Sequence, residues 1–243
     1  MKNRLNDYSL DKSKRIALLA FYFFGFIVVF PLLFSSILLK LNLVNDLLFM
    51  LFVYLSSVLI VIALAKPLFK SEQNVSWSKM LQYIVINIFL LFIINAIIGR
   101  LIEVLFSLST SENQQAIYNM LSLSNYGENV EFIIPYIPYI AFITLVILAP
   151  ILEEVIFRGV VFRWMRQSYS FIISSLVSGM LFGFIHVMDS LLTGNYLDLV
   201  YILLYGIMGV VFSKMYEETG SIYGPIILHA CYNAIPTLAL ILT

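Results

Sequence analysis

The sequence predicts an all-α fold, a polytopic bundle of about seven membrane-spanning helices, and three observations lead there. Of 243 residues, 61% are apolar and 12% charged, with a mean hydropathy of +0.97. Soluble chains run at roughly 45–50% apolar and about 25% charged, so the surplus apolar surface needs lipid as its solvent. Apolar runs near the ~20 residues a bilayer core requires recur along the whole length. The basic residues between those runs fall almost entirely on alternate loops.

The runs come in order. A polar, basic segment, residues 1–15, precedes Ile16–Leu39. That run is too long for a signal-peptide core and lacks a small-residue cleavage site, so it is read as a retained first span. Leu47–Ala65 and Met80–Ile98 complete a group of three N-terminal spans within residues 16–106. Residues 107–131, rich in Ser, Asn, Gln and Glu, are expected to be a solvated connector with a short amphipathic turn around Ile117–Leu121. Phe132–Leu152, Phe171–Val187, Leu199–Ser213 and Ile222–Leu242 follow and form a four-helix core over residues 132–243. The sixth run is short, and Gly206 and Gly209 within it point to close helix packing.

Loop charge sets the orientation. With the N-terminus cytoplasmic, 12 of the 14 basic residues fall on the inner side, and only Lys40 and Arg100 fall outside. The expectation is N-in, C-out with seven spans. Fourteen acidic residues balance the 14 basic ones, which removes the excess positive charge that nucleic-acid binding needs. The single cysteine, Cys231, excludes an intrachain disulfide and a cysteine-rich metal site.

Ionisable groups inside apolar runs carry the functional information, because each costs about 2.5–3.5 kcal/mol at mid-helix. They are Glu153, Glu154 and Arg158 beside the fourth run, His186 at the end of the fifth, and His229 with Asn233 in the seventh. Both histidines of the chain lie in spans. Glu154 and Arg158 are i,i+4 with the acid first, the favourable order for an ion pair. Glu153, rotated by ~100° from Glu154, faces a different neighbour. His229 and Asn233 share one helical face, as do Phe182 and His186. Arg100 and Glu103, near an outer boundary, read as structural.

Glu153 and His186 each lie about 16 residues from the turn near Gln167–Ser170, which puts both ~24 Å from it in an antiparallel hairpin. His229 is ~14 Å from its own cytoplasmic end by the same rise. One shared polar site near the inner leaflet follows as an expectation. Taken singly, each residue has a packing explanation; their coincidence at one depth is the argument for a site.

A carboxylate and an imidazole can activate water, with Glu153 as base assisted by His186. His229 and Asn233 can donate to the oxyanion of a tetrahedral intermediate. Together these groups suit water attack on a peptide carbonyl. Two histidines and a glutamate are also a catalytic zinc shell, though the spacing lacks the His-Glu-x-x-His pattern. A proton relay in a transporter is a third reading, and a non-catalytic scaffold a fourth.

The ordered motifs Glu153-Glu154-x-x-x-Arg158, Phe182-x-x-x-His186 and His229-x-x-x-Asn233 resemble the CPBP (CAAX protease and bacteriocin-processing, or Abi) family of intramembrane glutamic endopeptidases. The resemblance covers roughly residues 132–243. It implies that Glu153 is the catalytic glutamate, that His186 helps it activate water, and that His229 and Asn233 form the oxyanion site. Glu154, Arg158 and Phe182 would support them, and no metal or other cofactor would be needed. The implied partners are a peptide or protein substrate, membrane-associated in keeping with the bilayer, and no nucleic acid. The implied location is a bacterial cytoplasmic membrane, multi-pass, with roles in bacteriocin or signal-peptide processing or self-immunity. A non-catalytic immunity protein is the contrasting expectation.

Overall fold

The computed structural model describes residues 10–43, 45–70, 75–121 and 134–242, and among them every regular element is helical. Six helices are long and apolar enough to cross a membrane: α1 Lys12–Lys40, α2 Asp46–Phe69, α3 Trp77–Phe106, α5 Ile134–Met165, α8 Tyr201–Thr219 (entered by a 3-10 turn at Tyr196–Val200) and α9 Tyr223–Leu242. The shorter apolar helix α6, Phe171–His186, makes the seventh element of the expected bundle. Two further helices are short: α4, Glu112–Leu121, and α7, Met188–Thr193. Phe132, where the fourth span was expected to begin, lies outside the described residues.

Local chemistry sets the helix starts. Asp11, Asn45, Ser76 and Ser170 each accept a backbone N–H three residues on. These caps satisfy amides that have no partner within the helix. Helix α8 ends on Gly220, whose φ of 68° allows its N–H to reach Tyr216 O.

Helix α5 is the axis of the bundle: 72% of its apolar window is buried, against 11–50% in the other five. It packs against α1, α2, α6, α8 and α9. The outward faces of α1 and α3 carry Phe24, Leu32, Ile86, Phe89 and Ile97, each more than 60% exposed. Side chains of this type on an outer surface suit lipid contact. Helices α6 and α8 pack most closely, because glycines remove the side chains between them. A Cβ on Gly179 would meet Gly206 O, and one on Gly183 would lie 2.6 Å from Ile202 O. The glycines of the sixth apolar run thus do what their composition suggested.

Two expectations change. The fourth span does not stop at Leu152 but continues to Met165. The hydropathy falls at Glu153, yet Glu154 and Arg158 are fully buried and pair with each other, so the helix runs on through the interior. The connector is not simply solvated either. Ser111 Oγ bonds Tyr205 Oη at 2.8 Å, Glu112 N–H donates to Asp198 Oδ1 at 3.1 Å, and Asn195 Nδ2 donates to Glu112 Oε1 at 2.8 Å. Helix α4 is therefore tied down across the ends of α7 and α8; residues 122–131 of the connector lie outside the described residues.

Candidate active site

Helix α5 supplies two carboxylates from consecutive positions, and their environments differ because their side chains leave the helix in different directions. Glu154 is fully buried. Its Oε1 lies 3.1 Å from Arg158 Nη1 and accepts from His229 Nδ1 at 2.9 Å. Glu153 retains slight exposure, and its Oε2 stands 4.0 Å from His186 Nε2 and 4.0 Å from His229 Nε2. Sequence spacing pairs Glu154 with Arg158, and that pair is present. The structure adds that His229 faces both carboxylates, one with each ring nitrogen.

The partners of the two Nδ1 atoms fix the tautomers of the neutral rings. His186 Nδ1 lies 2.8 Å from Phe182 O, an obligate acceptor, so Nδ1 carries the proton. His229 Nδ1 faces Glu154, an acceptor while ionised beside Arg158. In both neutral rings Nε2 is then a lone pair aimed at Glu153. At 4.0 Å neither contact is a direct hydrogen bond.

Aromatic rings hold these groups in place. His186 is contacted by Phe182, 4.4 Å away, and by Tyr205, stacked at 4.6 Å. His229 stacks on Phe212 at 4.6 Å. The Arg158 guanidinium sits 4.5 Å over Phe182 and 5.1 Å over Phe212, and its N–H groups find no acceptor in hydrogen-bonding alignment. The quadrupoles of the ring faces offset part of that cation's desolvation. Phe182 is thus in contact with Arg158, His186 and His229 together. Ser178 Oγ donates to Phe157 O at 2.8 Å and pins α6 against α5 one turn before Phe182.

Asn233 is held by a backbone carbonyl of α5, a partner that its spacing does not reveal. Its Nδ2 donates to Leu145 O at 3.0 Å, one turn of α9 beyond His229 and two turns of α5 before Glu153. The two histidines reach the site from different distances along their helices. His186 is the last residue of α6, fifteen residues or ~22 Å from its start, and its partner Tyr205 bonds Ser111 at the α4 end of the bundle. His229 lies six residues, ~9 Å, into α9 from the opposite end. Both imidazoles nonetheless reach the same carboxylate, each Nε2 standing 4.0 Å from Glu153 Oε2. Arg100 and Glu103 pair with each other at 2.7 Å, exposed and apart from the site.

Tyr205 and Phe212 are not singled out by the sequence motifs. Seven residues apart on the glycine-bearing α8, they occupy one face, and each stacks on one of the two imidazoles. That spacing was the available signal. Among the described residues no group of three or more His, Cys, Asp or Glu side chains is arranged to hold a metal ion.

Residues 135–235 match the model of a family described as type II CAAX prenyl endopeptidase Rce1-like. The chain is also 31% identical over 118 residues to a Bacillus subtilis (strain 168) protein described as "Putative membrane peptidase YdiL". That alignment covers 48% of this chain and 44% of the relative, so the chain spans less than half of the curated relative it matches. No solved structure matches it. The matched segment contains Glu153, Glu154, Arg158, His186, His229 and Asn233.

Proposed function

We propose, from the match of residues 135–235 to the CAAX-endopeptidase family, that the chain is an intramembrane endopeptidase whose water is activated by Glu153 and His186. The observation that carries the reading is the 4.0 Å separation of Glu153 Oε2 from the Nε2 lone pair of His186. Two hydrogen bonds of ~2.8 Å meeting at a water angle of ~90–105° span ~4.0–4.4 Å. One water fits between them, with a proton directed at each acceptor and its own lone pair free to attack.

In this mechanism Glu153 takes a proton as the water oxygen bonds to the substrate carbonyl carbon. The carbonyl π pair moves onto oxygen. The oxyanion is met by the second amide hydrogen of Asn233 and by His229 Nε2–H, a donor only in the imidazolium form. Glu154 Oε1 faces the Nδ1 side of that ring at 2.9 Å. Collapse of the intermediate breaks the C–N bond, and the leaving nitrogen takes the proton from Glu153. The substrate is a peptide entering from the bilayer or the cytoplasmic side, with a prenylated CaaX tail and a leader peptide as the two classes to compare. The location proposed is a bacterial cytoplasmic membrane, with the N-terminus inside.

The same two Nε2 lone pairs and carboxylate are the donor types of a zinc shell, so the test must separate the two chemistries. Reconstituted wild type, Glu153→Gln and His186→Ala are assayed on a farnesylated CaaX peptide and on membrane peptides from the host, with and without a strong chelator. Loss of a general base costs on the order of 10²–10⁴-fold in rate, and each variant is expected to fall by that much while chelator has no effect. Cleavage by Glu153→Gln at the wild-type rate would remove the mechanism. Zinc-reversible loss with chelator would replace it with a metalloprotease.

A further inference from the structure

Helix α5 is not uniformly α-helical. It winds as a π-helix over Ile143–Leu148, where Ala149 N–H reaches back five residues to Thr144 O. In that register the next bond would run from residue 150 to Leu145 O. Residue 150 is proline and has no N–H. Ala149, the donor that Leu145 O would have in the α register, is already committed to Thr144. The Leu145 carbonyl is therefore left without a helical donor in the interior of a bundle, where an unpaired backbone acceptor is costly. Asn233 Nδ2, from α9, fills it at 3.0 Å.

We infer that Pro150 is a positioning residue for Asn233: by denying Leu145 O its own amide, it creates the acceptor that holds the Asn233 carboxamide against α5, two turns before Glu153. The catalytic consequence rests on the function proposed above, in which Asn233 donates its second hydrogen to the oxyanion. The link itself does not. A carboxamide on a flexible two-torsion side chain needs one fixed hydrogen bond to aim the other, and a backbone carbonyl on α5 ties that aim to the helix that carries Glu153. The π segment also explains why the proline is tolerated within a buried span, since the freed carbonyl is satisfied from a neighbouring helix.

The full chain is tested in proteoliposomes as Pro150→Ala, Asn233→Ala and the double variant, each followed by thermal midpoint and by kcat and KM on the cleaved peptide. Pro150→Ala restores a backbone N–H that can bond Leu145 O directly, so the acceptor no longer needs Asn233. The midpoint loss caused by Asn233→Ala is expected to be smaller in the Pro150→Ala background, and an equal loss in both backgrounds overturns the inference. Asn233→Asp, isosteric but without the N–H, provides the same comparison if Asn233→Ala fails to fold.

For the reaction, Pro150→Ala is expected to lower kcat roughly ten- to hundredfold, the range in which an ångström of misplacement acts, with KM unchanged. Adding Asn233→Ala should then cost no more than Asn233→Ala alone. Wild-type kcat in Pro150→Ala, or losses that multiply, would overturn the positioning role. Full activity in Glu153→Gln would instead overturn the proposed function, while the midpoint comparison would still report on the Pro150–Asn233 link.

Discussion

His186 lies against Tyr205 with ring centroids 4.6 Å apart and planes within 26°, while the Tyr205 hydroxyl bonds Ser111 Oγ at 2.8 Å. A ring that faces Glu153 is thereby connected, through one side chain, to the first turn of α4. The imidazole cannot tilt without either losing its stack or disturbing the polar ties at that end of the bundle. With Nδ1 bonded to Phe182 O and the Phe182 ring 4.4 Å away, His186 is held from its own helix as well as from α8.

Tyr205→Phe keeps the stack and removes the hydroxyl tie; Tyr205→Ala removes both. The alanine variant is expected to lower kcat by about tenfold or more, as misorientation of a catalytic group does, with KM little changed. The phenylalanine variant is expected to retain most of kcat. A pH–rate profile separates positioning from bulk destabilisation: the limb reporting on His186 should move in Tyr205→Ala and stay in place in Tyr205→Phe. Equal activity and equal profiles for both would remove Tyr205 from the site.

The glycine contact between α6 and α8 gives a prediction about stability. Gly179→Ala places a methyl group against Gly206 O, a backbone atom that cannot swing aside. Overpacking of this kind costs typically 1–3 kcal/mol, and the variant is expected to lose that much together with activity, since α6 carries His186 and α8 carries its stacking partner. Gly99→Ala is the control: nothing lies within 4 Å of its Cβ position on α3. Thermal denaturation in detergent should show no destabilisation there, and a loss matching that of Gly179→Ala would contradict the packing account.

Helix α4 should respond to acid. A hydrogen bond from the Asn195 side chain, helped by Ser190 and Thr193, holds the Glu112 carboxyl below its ordinary range. A carboxylate whose pKa is lowered on folding contributes fully at pH values above its unfolded pKa, and the contribution fades as pH falls through the folded one. The protection factors of the amides across Glu112–Leu121, which correct for the intrinsic pH dependence of exchange, are therefore expected to be high at neutral pH and to fall below about pH 4, near the unperturbed carboxylate value. Glu112→Gln should remove the acid dependence. Acid sensitivity that persists unchanged in that variant would assign it to another group.

Much of this architecture was legible in the sequence. The apolar runs gave the helices because a spanning segment must satisfy its backbone internally, so length and hydropathy suffice. Glu154 and Arg158 could be paired because i,i+4 neighbours meet on any helix. The continuation of α5 past Leu152 was hidden, because hydropathy counts a buried, neutralised ion pair as though it were exposed. The contact of His229 with both carboxylates was equally hidden, since it depends on how α9 crosses α5. Tyr205 is one of fifteen tyrosines, and only its seven-residue spacing from Phe212 on the glycine-bearing run sets it apart. The partner of Asn233 could be found only once Pro150 was seen to leave a carbonyl open in a five-residue register.

The phenylalanine cage around Arg158 has a consequence for assembly. The guanidinium remains charged under any physiological condition. Its neutralising partner, Glu154, is on the same helix, but its shielding partners Phe182 and Phe212 are on two helices made later. On α5 itself only the Phe157 ring, 5.9 Å away, accompanies the cation; the two nearer rings come from later helices. The full shielding of that charge is complete only once α6 and α8 have packed against α5, so the burial of Arg158 belongs to the assembled C-terminal half and not to α5 by itself.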